Sequence, residues 1–127
     1  MLTLGATLEH VAPGEVEISL RPHPAISQQH GFIHAGAVSA IADSAAGYAA
    51  LTLMPAGRGV LTVEFKINLL APAIGDRIMA RARVIKVGRT LTLVQTDVLA
   101  ESDGDEKLIA FLTATMMSVE GRDGVSD

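Results

Sequence analysis

Residues 35–54, AGAVSAIADSAAGYAALTLM, form a twenty-residue run with one charge, Asp43. Twenty residues could span a bilayer. This run, however, is mostly Ala, Gly and Ser, and an Asp at its centre would cost a few kcal/mol in lipid. Aliphatic strands downstream offer a protein core in its place. The run therefore predicts a helix hidden inside a soluble domain. Being apolar on nearly all sides, that helix must be surrounded.

The flanking segments read as strands. Val16, Ile18 and Leu20 alternate with Glu15, Glu17 and Ser19, and Pro22 and Pro24 end the pattern. Pro55-Ala56-Gly57 breaks the helix. From Gly59 to Leu70, Leu61, Val63, Phe65, Ile67 and Leu69 fall on one face, with Thr62, Glu64, Lys66 and Asn68 on the other. Pro72 and Gly75-Asp76 mark a turn. Arg77 to Val87 then places Ile78, Ala80, Ala82 and Val84 opposite Arg77, Arg81 and Arg83, and Gly88-Arg89 is a hairpin connection. Thr90–Ala100 and Leu108–Val119 are β-leaning, separated by the turn Ser102-Asp103-Gly104-Asp105. Strands joined by tight turns pair antiparallel. The expected fold is α+β: an antiparallel sheet of five to six strands curled around one long central helix, with one strand before the helix and four after it.

With 127 residues, the chain is expected to be one domain, 1–127, with a core over about 14–119 and a polar, frayed tail at 120–127. Met1–Gly14 has no basic n-region and carries Glu9, so it is not read as a secretory leader. The apolar fraction of 49% and the mean hydropathy of +0.37 exclude a disordered chain. For so short a protein that surplus, which includes 19 alanines, points to a subunit interface. The net charge of −4 argues against a dedicated nucleic-acid binder, and the absence of cysteine excludes a thiol nucleophile or a thiolate zinc site. Only four aromatic residues (Phe32, Tyr48, Phe65, Phe111) leave little for stacking on bases or sugars. His30 and His34 have a metal-pair spacing, but Gly31 and the loop context argue against one, no third ligand is evident, and His10 and His23 read as surface residues. No metal and no resident cofactor are expected. There is no Gly-x-Ser-x-Gly elbow, phosphate loop or dinucleotide fingerprint.

The chemistry concentrates where Gln28-Gln29-His30-Gly31-Phe32-Ile33-His34-Ala35-Gly36 feeds the helix. N–H groups at a helix start lack partners and carry the positive end of the dipole, which suits a developing oxyanion. Two turns on, Asp43 is costly unless it has a polar pocket, finds a partner or takes up a proton. Each option points towards a site, although a carboxylate that reaches solvent or bonds a neighbouring strand answers the same cost.

His34-Ala35-Gly36 followed by Asp43 resembles the His-Gly-Gly…Asp signature of hotdog-fold acyl-CoA thioesterases, in the phenylacetate-pathway-type (PaaI-like) branch. The likeness spans about residues 14–119. It includes Leu61-Thr62-Val63-Glu64-Phe65-Lys66-Ile67-Asn68 before Ala71-Pro72-Ala73, and the turn Gly88-Arg89-Thr90. The resemblance implies a cytoplasmic enzyme that splits acyl-CoA into free acid and coenzyme A. It implies a homodimer with active sites at the interface, usually paired into a homotetramer, and no nucleic-acid or membrane partner. The Ala35 N–H, with that of Gly36, would polarise the thioester carbonyl. Asp43 of the partner would act as general base or nucleophile. His34 would support the loop and contact the thioester. Gln28, where this branch often has Asn, would hold water or the carbonyl, and Thr62 would help orient the water. Ala35 departs from the first Gly of the motif; the main-chain donor survives provided that its φ is negative.

Seven of the ten basic residues lie between Arg58 and Arg89, giving that segment about +5 and the remainder about −9. A basic patch would suit the phosphates of coenzyme A, with Arg89, Gly88 and Arg58 as the expected contacts. The alternative for any one of these arginines is a solvated strand face that keeps the sheet from sticking to others. Two further readings stay open beside hydrolysis: a non-catalytic acyl-CoA-binding hotdog module, and a hotdog hydratase or dehydratase, although neither usual motif of the latter is present.

Overall fold

The computed structural model describes residues 4–28 and 32–120. The tail beyond Glu120, and His30, whose metal-pair spacing from His34 the loop context argues against, lie outside them. Six strands, β1 (Thr7–Ala12), β2 (Glu15–Leu20), β3 (Arg58–Leu69), β4 (Arg77–Val87), β5 (Leu91–Ser102) and β6 (Asp105–Glu120), form one antiparallel sheet in the order β1-β2-β4-β5-β6-β3. A single long helix, α1 (Ala35–Leu51), packs against β2 to β6. This is the hotdog arrangement.

Two strands, not one, precede the helix. β1 lacks clean alternation because its pairing with β2 shifts register between Leu8 and His10; the extra residue breaks the period that would mark a strand. The helix is also shorter than expected and ends at Leu51, with Thr52 as its C-cap. No helix among the described residues is long and apolar enough to cross a membrane.

Ala37, Val38, Ile41, Ala42, Ala45, Ala46, Ala49 and Ala50 of α1 are buried against the concave side of the sheet. The sheet supplies the bulk opposite them: Val16, Ile18 and Leu20 of β2, Ile78 of β4, Val94 and Val98 of β5, and Leu112 and Met116 of β6. The other side of the helix is not surrounded. Ser39, Ala40, Asp43, Ser44, Gly47 and Tyr48 are only half-buried.

β3 departs most instructively from its sequence reading. Its pairing with β6 slips between Thr62 and Glu64, leaving Val63 as the extra residue of a β-bulge. Thr62 lies opposite the buried Met116, while Phe65 and Ile67 lie opposite the buried Ala114 and Leu112. Thr62 therefore shares the helix-facing side with Phe65 and Ile67, and Glu64 and Lys66 stay outside. Strict alternation placed Thr62 with Glu64; the bulge reverses it.

The convex face carries ion pairs that absorb much of the basic segment. Arg77 bonds Glu101 at 2.7 and 3.1 Å and faces Glu9; Arg81 reaches Glu106 with both guanidinium nitrogens and Glu17 at 3.5 Å; Arg83 lies 3.6 Å from Asp97. For these three arginines the structural reading holds.

Two outcomes follow from this framework. A Cβ on Gly75 would sit 2.7 Å from the Glu101 carbonyl oxygen, the atom that accepts the Asp76 N–H. Gly75→Ala should cost about 1–3 kcal/mol in urea denaturation, and an unchanged midpoint would contradict that close approach. The bonds from Arg81 hold the Glu106 carboxyl below its ordinary value of 4.5. The stability they add is present above that value and is lost as pH falls through the lower, folded one. Glu106→Gln should lower stability at neutral pH by under about 1 kcal/mol, because the pair is partly exposed, and the gap should close as pH falls through the lowered value of the Glu106 carboxyl.

Candidate active site

The approach to the helix is held by backbone bonds on two sides. The Ile33 N–H donates to the Ala73 carbonyl at 3.2 Å and the His34 N–H to Ile26 at 2.7 Å. His34 is the N-cap, with extended backbone (φ −61°, ψ 137°). Its carbonyl accepts from Ala37 and Val38, and its ring Nδ1 accepts from the Gly36 N–H at 3.3 Å. With Nδ1 as the acceptor, Nε2 is the donor side of this exposed residue.

This accounting separates the two amides predicted as oxyanion donors. The Gly36 N–H is taken by the His34 ring. Among the described residues nothing accepts from the Ala35 N–H, and Ala35 is exposed. Ala35 opens the helix and is not among the residues with positive φ, so replacing the motif's Gly leaves the donor in place.

Ala35 and Gln28 line the same cavity, of about 350 Å³. Its deep side is apolar and buried (Ile33, Val38, Ala73, Ile109, Ala110), and its rim includes Phe32, Leu69, Leu70 and Pro72. No charged side chain lines it. Sequence reasoning singled out two of the three segments that build this wall, Gln28–Gly36 and Ala71–Ala73, but not Ile109 and Ala110, nor that the three meet around one cavity.

Asp43 stands elsewhere. It lies eight residues along α1 from Ala35, about 12 Å at 1.5 Å per residue. Thr62 Oγ1 donates to Asp43 Oδ1 at 2.8 Å, with Met116 Sδ at 3.4 Å as a weaker neighbour. Asp43 and Thr62 line a second cavity of about 230 Å³ with Ser44, Gly47, Tyr48 and Val60. The carboxylate thus finds its partner on a neighbouring strand, and the bulge at Val63 is what turns that partner inward.

The expected phosphate contacts occupy a third position. Gly88 and Arg89 are in the exposed β4–β5 turn, where a Cβ on Gly88 would overlap the Leu91 carbonyl oxygen. Gly88 therefore has a structural reason to be there whatever the turn binds. Arg58 Nε donates to Ser118 Oγ at 2.9 Å, and the Ser118 N–H donates to the Thr90 carbonyl at 2.8 Å. Arg58 and Arg89 therefore belong to one rim of the sheet. Among the described residues no group of three His, Asp or Glu side chains could hold a metal ion.

Within one chain the predicted residues thus form three groups: Gln28, His34, Ala35 and Gly36; Asp43 and Thr62; Arg58, Gly88 and Arg89. Similar proteins share both the fold and the likeness seen in the sequence. Residues 30–107 match the family model described as thioesterase superfamily. Human acyl-coenzyme A thioesterase 13 is 30% identical over 105 residues, covering 82% of this chain and 73% of that protein. A thioesterase family protein from Silicibacter pomeroyi superposes with a TM-score of 0.92 at 51% identity, covering 95% of this chain and 89% of its own. A mutant of the phenylacetic acid degradation protein PaaI from Thermus thermophilus gives 0.79 at 29% identity, covering 92% and 96%. The chain belongs to the thioesterase superfamily and is a thioester hydrolase with the hotdog fold.

Proposed function

We propose that the protein hydrolyses acyl-CoA thioesters at two sites, each assembled from two copies of the chain. The observation that carries this reading is the separation just described. The only carboxylate on the helix and the open N–H at its start lie about 12 Å apart in one chain, too far to act on one carbonyl.

A second copy closes that gap. β3 is an edge strand whose Val63, Phe65 and Leu69 are 54%, 45% and 56% exposed, a combination that invites strand pairing. α1 runs opposite to β3: Ala35 shares its cavity with Leu69–Ala73, whereas Asp43 lies beside Thr62. A two-fold axis beside β3, near Phe65, would pair the strand antiparallel with its copy and bring the partner's helix start towards this chain's Asp43. The half-buried helix face is covered in the same step. Exposed Leu61, Leu91 and Leu93 on the convex side offer a further surface on which dimers pair into a tetramer.

In the assembled site the Ala35 N–H, at the positive end of its helix, donates to the thioester carbonyl and stabilises the oxyanion as it forms. Gln28 lies in the same cavity and holds the carbonyl or the water. The His34 ring caps the helix through Nδ1 and presents Nε2–H towards the thioester end. Asp43 from the other subunit takes a proton from water; Thr62 occupies Oδ1 and leaves Oδ2 for that proton. Water adds to the carbonyl carbon, the tetrahedral intermediate collapses with cleavage of the C–S bond, and the departing thiolate of coenzyme A takes up the proton that Asp43 removed from water. The acyl group fills the uncharged cavity behind Ala35. The phosphates of coenzyme A fall to Arg89, Gly88 and Arg58 on the rim beyond Thr62.

Asp43→Asn should lower kcat/KM on an acyl-CoA panel by about 10²–10⁴ with an intact fold. Thr62→Val should lower kcat by a smaller factor, and full turnover in Asp43→Asn would sink this assignment. The shared site has its own test. Ala35→Pro replaces the N–H with a ring carbon and so removes the donor, at a position where the helix start tolerates proline and the preceding His34 is already extended. Each variant alone should be nearly inactive. Mixed by refolding, they should recover about a quarter of wild-type activity, since half the dimers are mixed and each carries one intact site. A mixture as inactive as its parents would mean that the site lies within one chain.

A further inference from the structure

Between the helix and the sheet the contact is almost wholly aliphatic, with two polar exceptions: Thr62 bonds the Asp43 side chain, and Thr96 bonds the helix main chain. Thr96 of β5 is 0% exposed and its Oγ1 donates to the Ala42 carbonyl at 3.0 Å. Its neighbours on the same face of β5, Val94 and Val98, are equally buried, so a valine at 96 would fit the shape and the surroundings. Burying a hydroxyl in place of a methyl costs stability unless it is hydrogen-bonded, and even then gains little over the apolar isostere. Cohesion alone does not account for a threonine at this place.

The position of its acceptor does. Ala42 directly precedes Asp43, on the turn of α1 that carries the carboxylate. Apart from the Thr62 bond to the Asp43 side chain, the other polar ties of α1 among the described residues are at its ends: Ile33 and His34 bond Ala73 and Ile26 before the start, and Thr52 Oγ1 accepts the Gly14 N–H at the close. From Ala42 to Ala50 the buried side chains of α1 are all alanine, which interlock with the sheet less than longer side chains would. A directional bond from strand to helix main chain fixes the helix where Asp43 is attached. From the opposite side, Thr62 holds the carboxylate itself.

We propose that Thr96 is a positioning residue for hydrolysis, fixing the height and rotation of the Asp43 turn so that the carboxylate meets the water and carbonyl supplied at the helix start of the other subunit. This rests on the assignment of Asp43 above. A displacement of about 1 Å in a reacting group can cost up to roughly a hundredfold in rate, whereas the affinity for substrate, set by the cavity and the rim, need not change.

The experiment compares Thr96→Val, Thr96→Ser and Asp43→Asn with the wild-type enzyme, reading kcat, KM and Tm on one acyl-CoA that is turned over. Thr96→Val should keep or raise Tm and hold KM within about twofold while kcat falls by about tenfold or more. Thr96→Ser keeps the hydroxyl but loses a methyl, so Tm should fall while kcat stays near wild type. Stability and turnover then move in opposite directions, which a packing role does not produce. Wild-type kcat in Thr96→Val beside an inactive Asp43→Asn overturns the inference and leaves the Asp43 assignment standing. An equal loss of kcat in Thr96→Ser and Thr96→Val overturns it as well, because the methyl would then be what matters. Full activity in Asp43→Asn removes the assignment and the inference together.

Discussion

A helix can lie in the trough of a curved sheet only if the side chains between them are short on one of the two surfaces. Here the helix makes that concession. Ala42, Ala45, Ala46, Ala49 and Ala50 are fully buried and present methyl groups, while isoleucine, leucine, valine and methionine from the sheet fill the remaining space. A larger residue at any of these alanines would strain a close-packed layer. The close approach also has a polar consequence. With the helix main chain this near the sheet, one threonine hydroxyl reaches a helix carbonyl and another reaches the helix's only carboxylate. Both contacts depend on alanine.

The same geometry leaves the fold unfinished along one side. β3 is the edge of the sheet, exposes large apolar side chains, and lies next to a helix face that is only half-buried. Burial of the alanine face against β2, β4 and β5 uses up the wide part of the trough, so α1 cannot also shield its Asp43 side. Incompleteness at the edge and the division of the candidate site into separate groups are therefore one fact seen twice. Whatever covers β3 also decides what stands opposite Asp43.

Where the chain keeps a regular period, its sequence could be read. β2 and β5 bury alternate residues much as alternation requires, as do β4 up to Val84 and β6 from Ala110 onward, and the alanine-rich run with one Asp defined the helix and its place in the core. Bulges defeated the same reading. Nothing marks Val63 as an extra residue: it is β-branched and apolar, like any strand position, yet it turns Thr62 towards the helix. β1 was invisible for a similar reason, its register slipping beside Glu9. The segment Gln28–Gly36 and Asp43 stood out because polar and glycine residues there interrupt an apolar chain. That the His34 ring would take the Gly36 N–H, leaving Ala35 alone as donor, depends on a rotamer and not on composition. Charge counting failed in its own way. It registers seven basic residues in one segment but not that Arg77, Arg81 and Arg83 already face Glu101, Glu106 and Asp97 across the sheet.

The spacing of Ala35 and Asp43 also has an electrostatic logic. A carboxylate in the first turn of a helix accepts from the free N–H groups there and is stabilised by the positive end of the dipole. An Asp so placed would occupy the donor that the thioester oxygen needs. The dipole's influence fades within the first turn, so two turns on, Asp43 neither competes for the Ala35 N–H nor is held by it. One helix can then carry an electrophilic end and a base without either disabling the other. The cost is that they cannot act together on one substrate inside one chain. In the two-subunit site proposed above, each helix lends its start to one carbonyl and its carboxylate to the other, and the separation that protects the two groups from each other is what makes a second copy necessary.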